Sequence, residues 1–195
     1  MSAPFGRLPT RFEPASGDTG KVAIILPGSG YSPAFPLLEF GRQALMQHGW
    51  TVQQVWWDSE SFDDLDRARL WVDAQAEAAV TAEKDAERLL LMGKSLGTLA
   101  AEVAVRHDLP AVWFTPLLNA AIAADAHRRA TRPMLLVGGT ADKSWDGALA
   151  AQLSDFVLEI PDATHFMDLP DDAVRTAEIL VEVVRAVDAF LTRLG

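Results

Sequence analysis

The chain alternates between short apolar runs and longer segments in which apolar residues recur every three or four positions. Most of the short runs are continuous and stop at Gly, Pro or polar residues, which is typical of strands buried on both faces. The longer segments have the spacing of amphipathic helices. This alternation predicts an α/β fold with a mostly parallel sheet of about six strands and helices on both faces. The strands are expected at residues 22–26, 51–57, 89–92, 111–115, 134–137 and 156–160, and the helices at about 34–48, 64–88 with room for one break, 96–107, 119–130, 146 onwards and 171–193.

Residues 1–20 differ from the rest of the chain because they are rich in Pro, Gly and polar residues. This composition predicts a loosely ordered N-terminal arm or an edge strand. Residues 21–195 show no internal repeat, linker or low-complexity segment, and a chain of 195 residues is long enough to bury a substantial core. We therefore expect residues 21–195 to form a single domain.

The composition narrows the classes of function. A formal net charge of −10 disfavours a large nucleic-acid contact, which needs a basic patch. No apolar run approaches the roughly 18 residues of a membrane span, and the first residues lack the layout of a secretory signal. We expect a cytoplasmic protein with neither a nucleic-acid nor a membrane partner, and leave open whether it is a monomer or a dimer. The absence of cysteine excludes disulfides and a cysteine nucleophile, so an activated serine is the best candidate for covalent chemistry.

Residues 93–97 (GKSLG) match the pattern G-x-S-x-G directly after a predicted strand and directly before a predicted helix. In this sharp turn the residues two positions before and after the serine must be small, and the helix N-terminus directs free N–H groups at the site. The pattern predicts Ser95 as a nucleophile. The same letters resemble the end of a phosphate-binding P-loop, but Arg88 stands where that loop needs glycine.

Residues 27–31 (PGSGY) follow the first predicted strand. A dinucleotide fingerprint would need a third glycine at position 33, where the chain has Pro33. A glycine-rich turn at this place is also suited to direct a backbone N–H at a developing oxyanion. We expect the amides of Ser29 and Leu96 to be the two donors, with Gly30 and Tyr31 as alternatives to Ser29.

His165 is the best of the four histidines for a general base, because it lies in a loop directly after the last predicted strand. His48 and His107 lie at helix ends, where contact with terminal carbonyl groups explains them. His127 lies beside two arginines on a helix that we expect to be exposed. For the acid we expect Asp142, which follows the fifth strand in a turn. The competing carboxylates are Asp146, more plausible as a helix start, and Asp168, more plausible as a surface charge.

The order of residues 27–30, 93–97, 139–142 and 163–165 resembles the α/β-hydrolase superfamily, in particular its small, lidless dienelactone-hydrolase-like and carboxylesterase-like members. The resemblance runs from about residue 22 to the C-terminus. Two features depart from the family pattern. Pro27 stands where many relatives have His, and the chain starts at the third strand of the full fold, which predicts a shortened sheet.

The resemblance implies a serine hydrolase that cleaves small-molecule esters or related acyl substrates through an acyl-enzyme, without a metal or organic cofactor. Only about 16 residues separate the fourth and fifth strands, where relatives insert a cap. We therefore expect an open site without a lid that favours short acyl chains, with Tyr31, Trp145 and Phe166 as its walls. Two alternatives remain: a lyase or peroxidase on the same fold, and a non-catalytic binding protein.

Overall fold

The computed structural model describes residues 10–12, 20–57, 62 and 64–195. In chain order its elements are β1 (Thr10–Phe12), β2 (Lys21–Leu26), α1 (Pro36–Gln47), β3 (Thr51–Gln54), α2 (Leu65–Ala82), β4 (Arg88–Lys94), a 3-10 helix (Ser95–Ala100), α3 (Ala101–Arg106), β5 (Ala111–Phe114), α4 (Ala121–Arg129), β6 (Met134–Gly139), α5 (Gly147–Leu153), β7 (Phe156–Ile160) and α6 (Ala173–Leu194).

The strands form one sheet in the order β1-β3-β2-β4-β5-β6-β7. All neighbours from β3 to β7 pair in parallel, which confirms the predicted mostly parallel sheet. Within the first 20 residues, only residues 10–12 and 20 are described, and β1 pairs antiparallel with β3 at the sheet edge. The prediction for residues 1–9 and 13–19 lies outside the described residues.

Two cores cover the sheet, because successive side chains of a strand point to opposite faces. On one face, here called the α1/α6 face, Ile25 packs among residues of α1 and α6. On the other, the α2/α4 face, Ile24 packs among residues of α2, α3, α4 and α5. The continuous apolar runs of the central strands follow from this two-sided burial.

Some strand and helix boundaries differ from the predicted ones. The second predicted strand ends at Gln54 rather than residue 57, and the helix expected at 64–88 ends at Ala82. The short turn that follows is needed because β4 already begins at Arg88, where it pairs with Lys21 of β2. After Ser95 the chain forms six residues of 3-10 helix before it becomes α-helical.

The connection between β5 and β6 contains a single short helix, α4, which packs beside α3 on the α2/α4 face. It leaves the carboxyl edge of the sheet uncovered, so the expectation of a fold without a cap domain is confirmed. Within the described residues, no helix has both the length and the hydrophobicity needed to cross a bilayer.

Candidate active site

Three side chains meet at the carboxyl edge of the sheet. Ser95 directly follows β4, Asp142 lies in the turn after β6, and His165 lies in the loop after β7. In a parallel sheet all strands end at the same edge, so residues distant in sequence converge there. The structure therefore brings together the three residues that the sequence singles out.

The turn at Ser95 has a strained backbone. Ser95 has a φ of 52°, in the left-handed region that side chains other than glycine rarely adopt. A Cβ atom added to Gly93 would lie 2.7 Å from the carbonyl oxygen of Gly97 and 2.8 Å from the ring of Trp113. One added to Gly97 would overlap the carbonyl of Leu26. The two glycines of the motif are thus required by the close approach of neighbouring backbone.

A chain of hydrogen bonds links the three side chains. Ser95 Oγ lies 2.7 Å from His165 Nε2, and His165 Nδ1 lies 2.7 Å from Asp142 Oδ2. The Ser144 amide donates to Asp142 Oδ1 over 2.8 Å and so fixes the carboxylate. An ionised Asp142 selects the imidazole tautomer with its proton on Nδ1, which leaves Nε2 as an acceptor for the Ser95 hydroxyl.

The electrostatics of the site favour a charged Asp142. The side chain of Asp142 is almost fully buried, and this burial raises its pKa. The hydrogen bonds from His165 and Ser144 and the positive charges of His165 and Lys94 together outweigh burial, so the pKa of Asp142 is lowered from its usual value. At neutral pH it is therefore an anion that can stabilise an imidazolium on His165.

Lys94 is a site feature that the sequence prediction missed. It is 2% exposed, and its Nζ lies 4.8 Å from the ring centre of Tyr31 and 5.0 Å from that of Phe166. Among the described residues it makes neither a hydrogen bond nor an ion pair, and burial lowers its pKa to about 8, although the charge of Asp142 opposes this. Its position inside the serine motif was the available signal.

The loop after β2 forms a tight turn against the serine turn. Gly28 N–H donates to the carbonyl of Tyr31 over 3.1 Å, and the Tyr31 amide points back to the Gly28 carbonyl at 3.4 Å. The Tyr31 amide is thus directed into the turn and is the weakest of the three alternatives for an oxyanion donor. Ser29 and Gly30 lie at the exposed tip of the turn, and Gly30 has a φ of 64°.

Two of the three predicted wall residues lie together. The rings of Tyr31 and Phe166 are 6.2 Å apart, and the ring of Phe166 is 6.4 Å from that of His165. Trp145 lies elsewhere. It belongs to the core of the α2/α4 face, its ring fills the space left by Gly138, and its Nε1 donates to Glu159 over 2.6 Å. The structure therefore does not bring Trp145 to the wall with the other two.

An apolar groove runs from this wall along the α1/α6 face, with a volume of about 440 Å³. It is lined by residues 31 and 35–37 at the start of α1, by residues 166–168 after the histidine, and by residues 173, 176, 177 and 180 of α6. The sequence prediction missed this groove because its sides come from three distant segments. We refer to it below as the α1–α6 groove.

The other histidines are engaged elsewhere. His48 Nε2 lies 2.8 Å from Asp188 and His107 Nε2 lies 2.8 Å from Glu77, so both contact carboxylates. The expectation that His127 lies on an exposed helix face is wrong, because it is buried against the ring of Trp113. Its neighbours on α4 are mostly alanines, whose small side chains allow that turn to approach the sheet.

The competing carboxylates also have other partners. Asp146 accepts a hydrogen bond from the Leu149 amide over 2.9 Å and caps α5. Asp168 accepts one from the Thr164 hydroxyl in the loop that carries His165. Asp142 is the acid that contacts His165. Within the residues described, no cluster of three His, Asp or Glu side chains is arranged to hold a metal ion.

Comparison with known proteins identifies the fold. Neither a family model nor a curated protein matches the sequence. Among solved structures, the chain is similar to an α/β serine hydrolase without a lid, XC6422 from Xanthomonas campestris, with 21% identity, a TM-score of 0.67 and coverage of 94% of this chain and 87% of that one. It is also similar to Est1E from Butyrivibrio proteoclasticus, solved with ferulic acid bound, with 13% identity, a TM-score of 0.70 and coverage of 95% and 94%. A third is the esterase Pf2001 of Pyrococcus furiosus, with 15% identity, a TM-score of 0.64 and coverage of 97% and 93%.

These similarities show that the chain has the α/β-hydrolase fold in its form without a lid. The predicted resemblance to small, lidless α/β hydrolases is thereby confirmed at the level of the fold. What the chain does must be argued from its own site, because one fold serves many reactions.

Proposed function

We propose that this protein is a serine hydrolase that cleaves esters or related acyl substrates. The observation that carries the proposal is the unbroken hydrogen-bond chain from Ser95 Oγ through His165 to a buried, ionised Asp142. Such a chain activates a hydroxyl that would otherwise be a weak nucleophile. The esterases and serine hydrolases among the structural neighbours add support.

Acylation uses each member of the chain in turn. His165 Nε2 accepts the Ser95 proton while Oγ forms a bond to the carbonyl carbon, and Asp142 stabilises the imidazolium that results. The carbonyl oxygen becomes an oxyanion, to which the amides of Leu96 and Ser29 donate hydrogen bonds. When the bond to the leaving group breaks, His165 gives its proton to the departing oxygen, and the acyl group remains on Ser95.

Deacylation repeats these steps with water. His165 removes a proton from the water as its oxygen bonds to the acyl carbon, and the collapse of the second intermediate releases the acid. Ser95 Oγ leaves and recovers its proton from His165, which regenerates the enzyme. Because β5 and β6 are joined without a cap, water can reach the acyl-enzyme directly from the open edge of the sheet.

The direct test is covalent labelling with a fluorophosphonate, followed by mass spectrometry of the modified peptide. We expect the label on Ser95 and on no other serine, together with hydrolysis of p-nitrophenyl acetate. Ser95→Ala is the matched control and should be folded, unlabelled and inactive. Labelling that persists in Ser95→Ala would contradict the assignment, and a wild-type protein with neither labelling nor hydrolysis would favour a binding role on this fold.

A further inference from the structure

The α1–α6 groove lies beside the proposed general base. Tyr31 and Phe166 both line it, and Phe166 directly follows His165, with the two rings 6.4 Å apart. The groove therefore adjoins the loop that carries the proposed general base. The groove volume of about 440 Å³ lies in the range of roughly 300–1,000 Å³ that is common for small-molecule sites.

The position of the groove indicates which half of an ester it receives. In the acylation step the leaving oxygen takes its proton from His165 Nε2, so the alcohol portion must lie on the side of the histidine. The loop that carries His165 also forms one wall of the groove, through Phe166 and Met167. The alcohol portion is thus the part of the substrate that faces the groove.

The chemistry of the lining selects the kind of alcohol. The walls are mostly aromatic and aliphatic, and the only carboxylic acid among the lining residues is Asp168, whose carboxylate already accepts from the Thr164 hydroxyl. Phe35 and Phe166 are 43% and 57% exposed at the rim, so a ligand would cover apolar surface that is now in contact with water. The nearby cation, Lys94, is 2% exposed and is not among the lining residues, so a polar or anionic alcohol would lose hydration at these walls without gaining a partner among the lining side chains.

We propose that the α1–α6 groove is the binding site for an apolar, aryl-sized alcohol group, so that the substrates are esters of apolar alcohols. This inference rests on the proposed hydrolase function. Tyr31 and Phe166 stack against the group near the ester, and the exposed alanines of α6 leave the room that it occupies. The acyl portion points away from the groove, towards the open edge of the sheet.

The test varies the alcohol while the acyl group stays constant. Ethyl, benzyl and 2-naphthylmethyl acetate are compared by acetic acid release, because their alcohols differ far more in size than in acidity. For the wild type we expect kcat/KM to rise at least about tenfold from ethyl to benzyl acetate. Ala177→Trp fills the groove from an exposed position on α6, and we expect it to lower the benzyl-to-ethyl ratio at least about tenfold.

The matched control is Ala189→Trp, which adds the same side chain at another exposed position of the same helix, outside the groove. It should keep the wild-type ratio. Ala173→Trp fills the groove from an earlier turn of α6 and should reproduce the loss. Thermal melting curves verify that all three variants are folded.

The outcomes separate this inference from the proposed function. A wild-type enzyme that is labelled at Ser95 but shows no preference for benzyl acetate overturns the inference alone. So does an Ala177→Trp enzyme that keeps the preference for benzyl acetate, or one that loses activity selectively on long acyl chains in ethyl butyrate and ethyl octanoate. Absence of both labelling and hydrolysis overturns the function and, with it, this inference.

Discussion

The two faces of the sheet each bury one titratable side chain that has no hydrogen-bond partner among the described residues, and the two differ in charge. On the α1/α6 face, Lys94 has a pKa of about 8 and remains an ammonium ion at neutral pH. On the α2/α4 face, His127 has both ring nitrogens buried without a partner, and burial lowers its pKa to about 4, so it is neutral. Burying a charge is costly unless something compensates it.

The compensation of Lys94 comes from the site. Its ammonium lies near two aromatic ring faces and within the field of Asp142, all of which favour the cation. His127 has only the edge of Trp113 and surrounding alanines, and it responds by losing its proton. A charge is therefore retained on the face that carries the α1–α6 groove and is excluded from the α2/α4 face, which carries only packing contacts.

The largest expected effect concerns the carboxylate that both orients His165 and faces Lys94. Asp142→Asn should lower kcat on p-nitrophenyl acetate by about 10⁴-fold, because an amide does not select the tautomer with its proton on Nδ1. The control is Asp146→Ala, which removes the cap of α5; it should lower the free energy of unfolding by about 1 kcal/mol and keep the wild-type kcat. If Asp146→Ala were the inactive variant, the assignment of the acid would be wrong.

The sequence predicts those parts of the site that depend on a local motif or on the order of the strands. The serine turn is predictable because Gly93 and Gly97 are required by backbone within the motif and the adjoining strand. His165 and Asp142 are predictable because a parallel sheet brings every strand end to one edge. These inferences need only the local pattern and the order of the strands.

The remainder depends on packing between distant segments. Nothing in the sequence around Trp145 indicates that its ring turns inward over Gly138, so the sequence alone predicts a wall residue there. The two arginines adjacent to His127 indicate an exposed position, but His127 shares the buried side of α4 with Ala123 and Ala124. The α1–α6 groove has no local signal, because its apolar residues look like ordinary core positions of two amphipathic helices.

The second prediction tests the charge of Lys94 on the α1/α6 face. Lys94→Met keeps the length and the apolar stem but removes the ammonium. Below pH 8 wild-type Lys94 is protonated in both the folded and the unfolded chain, so its burial penalty is fully present. From the lowering of its pKa from 10.5 to about 8 we expect the variant to be more stable at pH 7 by about 3 kcal/mol.

This advantage should fade between about pH 8 and 10.5, where the folded wild type has lost its proton and the unfolded chain still holds it. Urea unfolding at pH 7, 9 and 10.5 measures the difference. We also expect kcat/KM to fall about tenfold, since the cation no longer lies between the rings of Tyr31 and Phe166 or beside Asp142. A stabilised variant with full activity would mean that the charge of Lys94 serves neither the fold nor catalysis.

A weaker effect is expected at the uncharged His127 of the α2/α4 face, and it appears only at acidic pH. In the folded protein the pKa of His127 is about 4, below its ordinary value of 6.5, so between these values the unfolded chain binds a proton that the folded chain does not. Stability therefore falls as the pH falls from 6.5 to 4, and at pH 5 the loss is about 2 kcal/mol. His127→Leu has a similar volume and no titrating group, and it leaves no hydrogen bond broken. Urea unfolding should show that the stability of this variant relative to the wild type is about 2 kcal/mol greater at pH 5 than at pH 7. The variant should hydrolyse p-nitrophenyl acetate at the wild-type rate. A constant difference between the two proteins from pH 7 to pH 4 would show that His127 is protonated while buried, and the contrast between the two faces would then be lost.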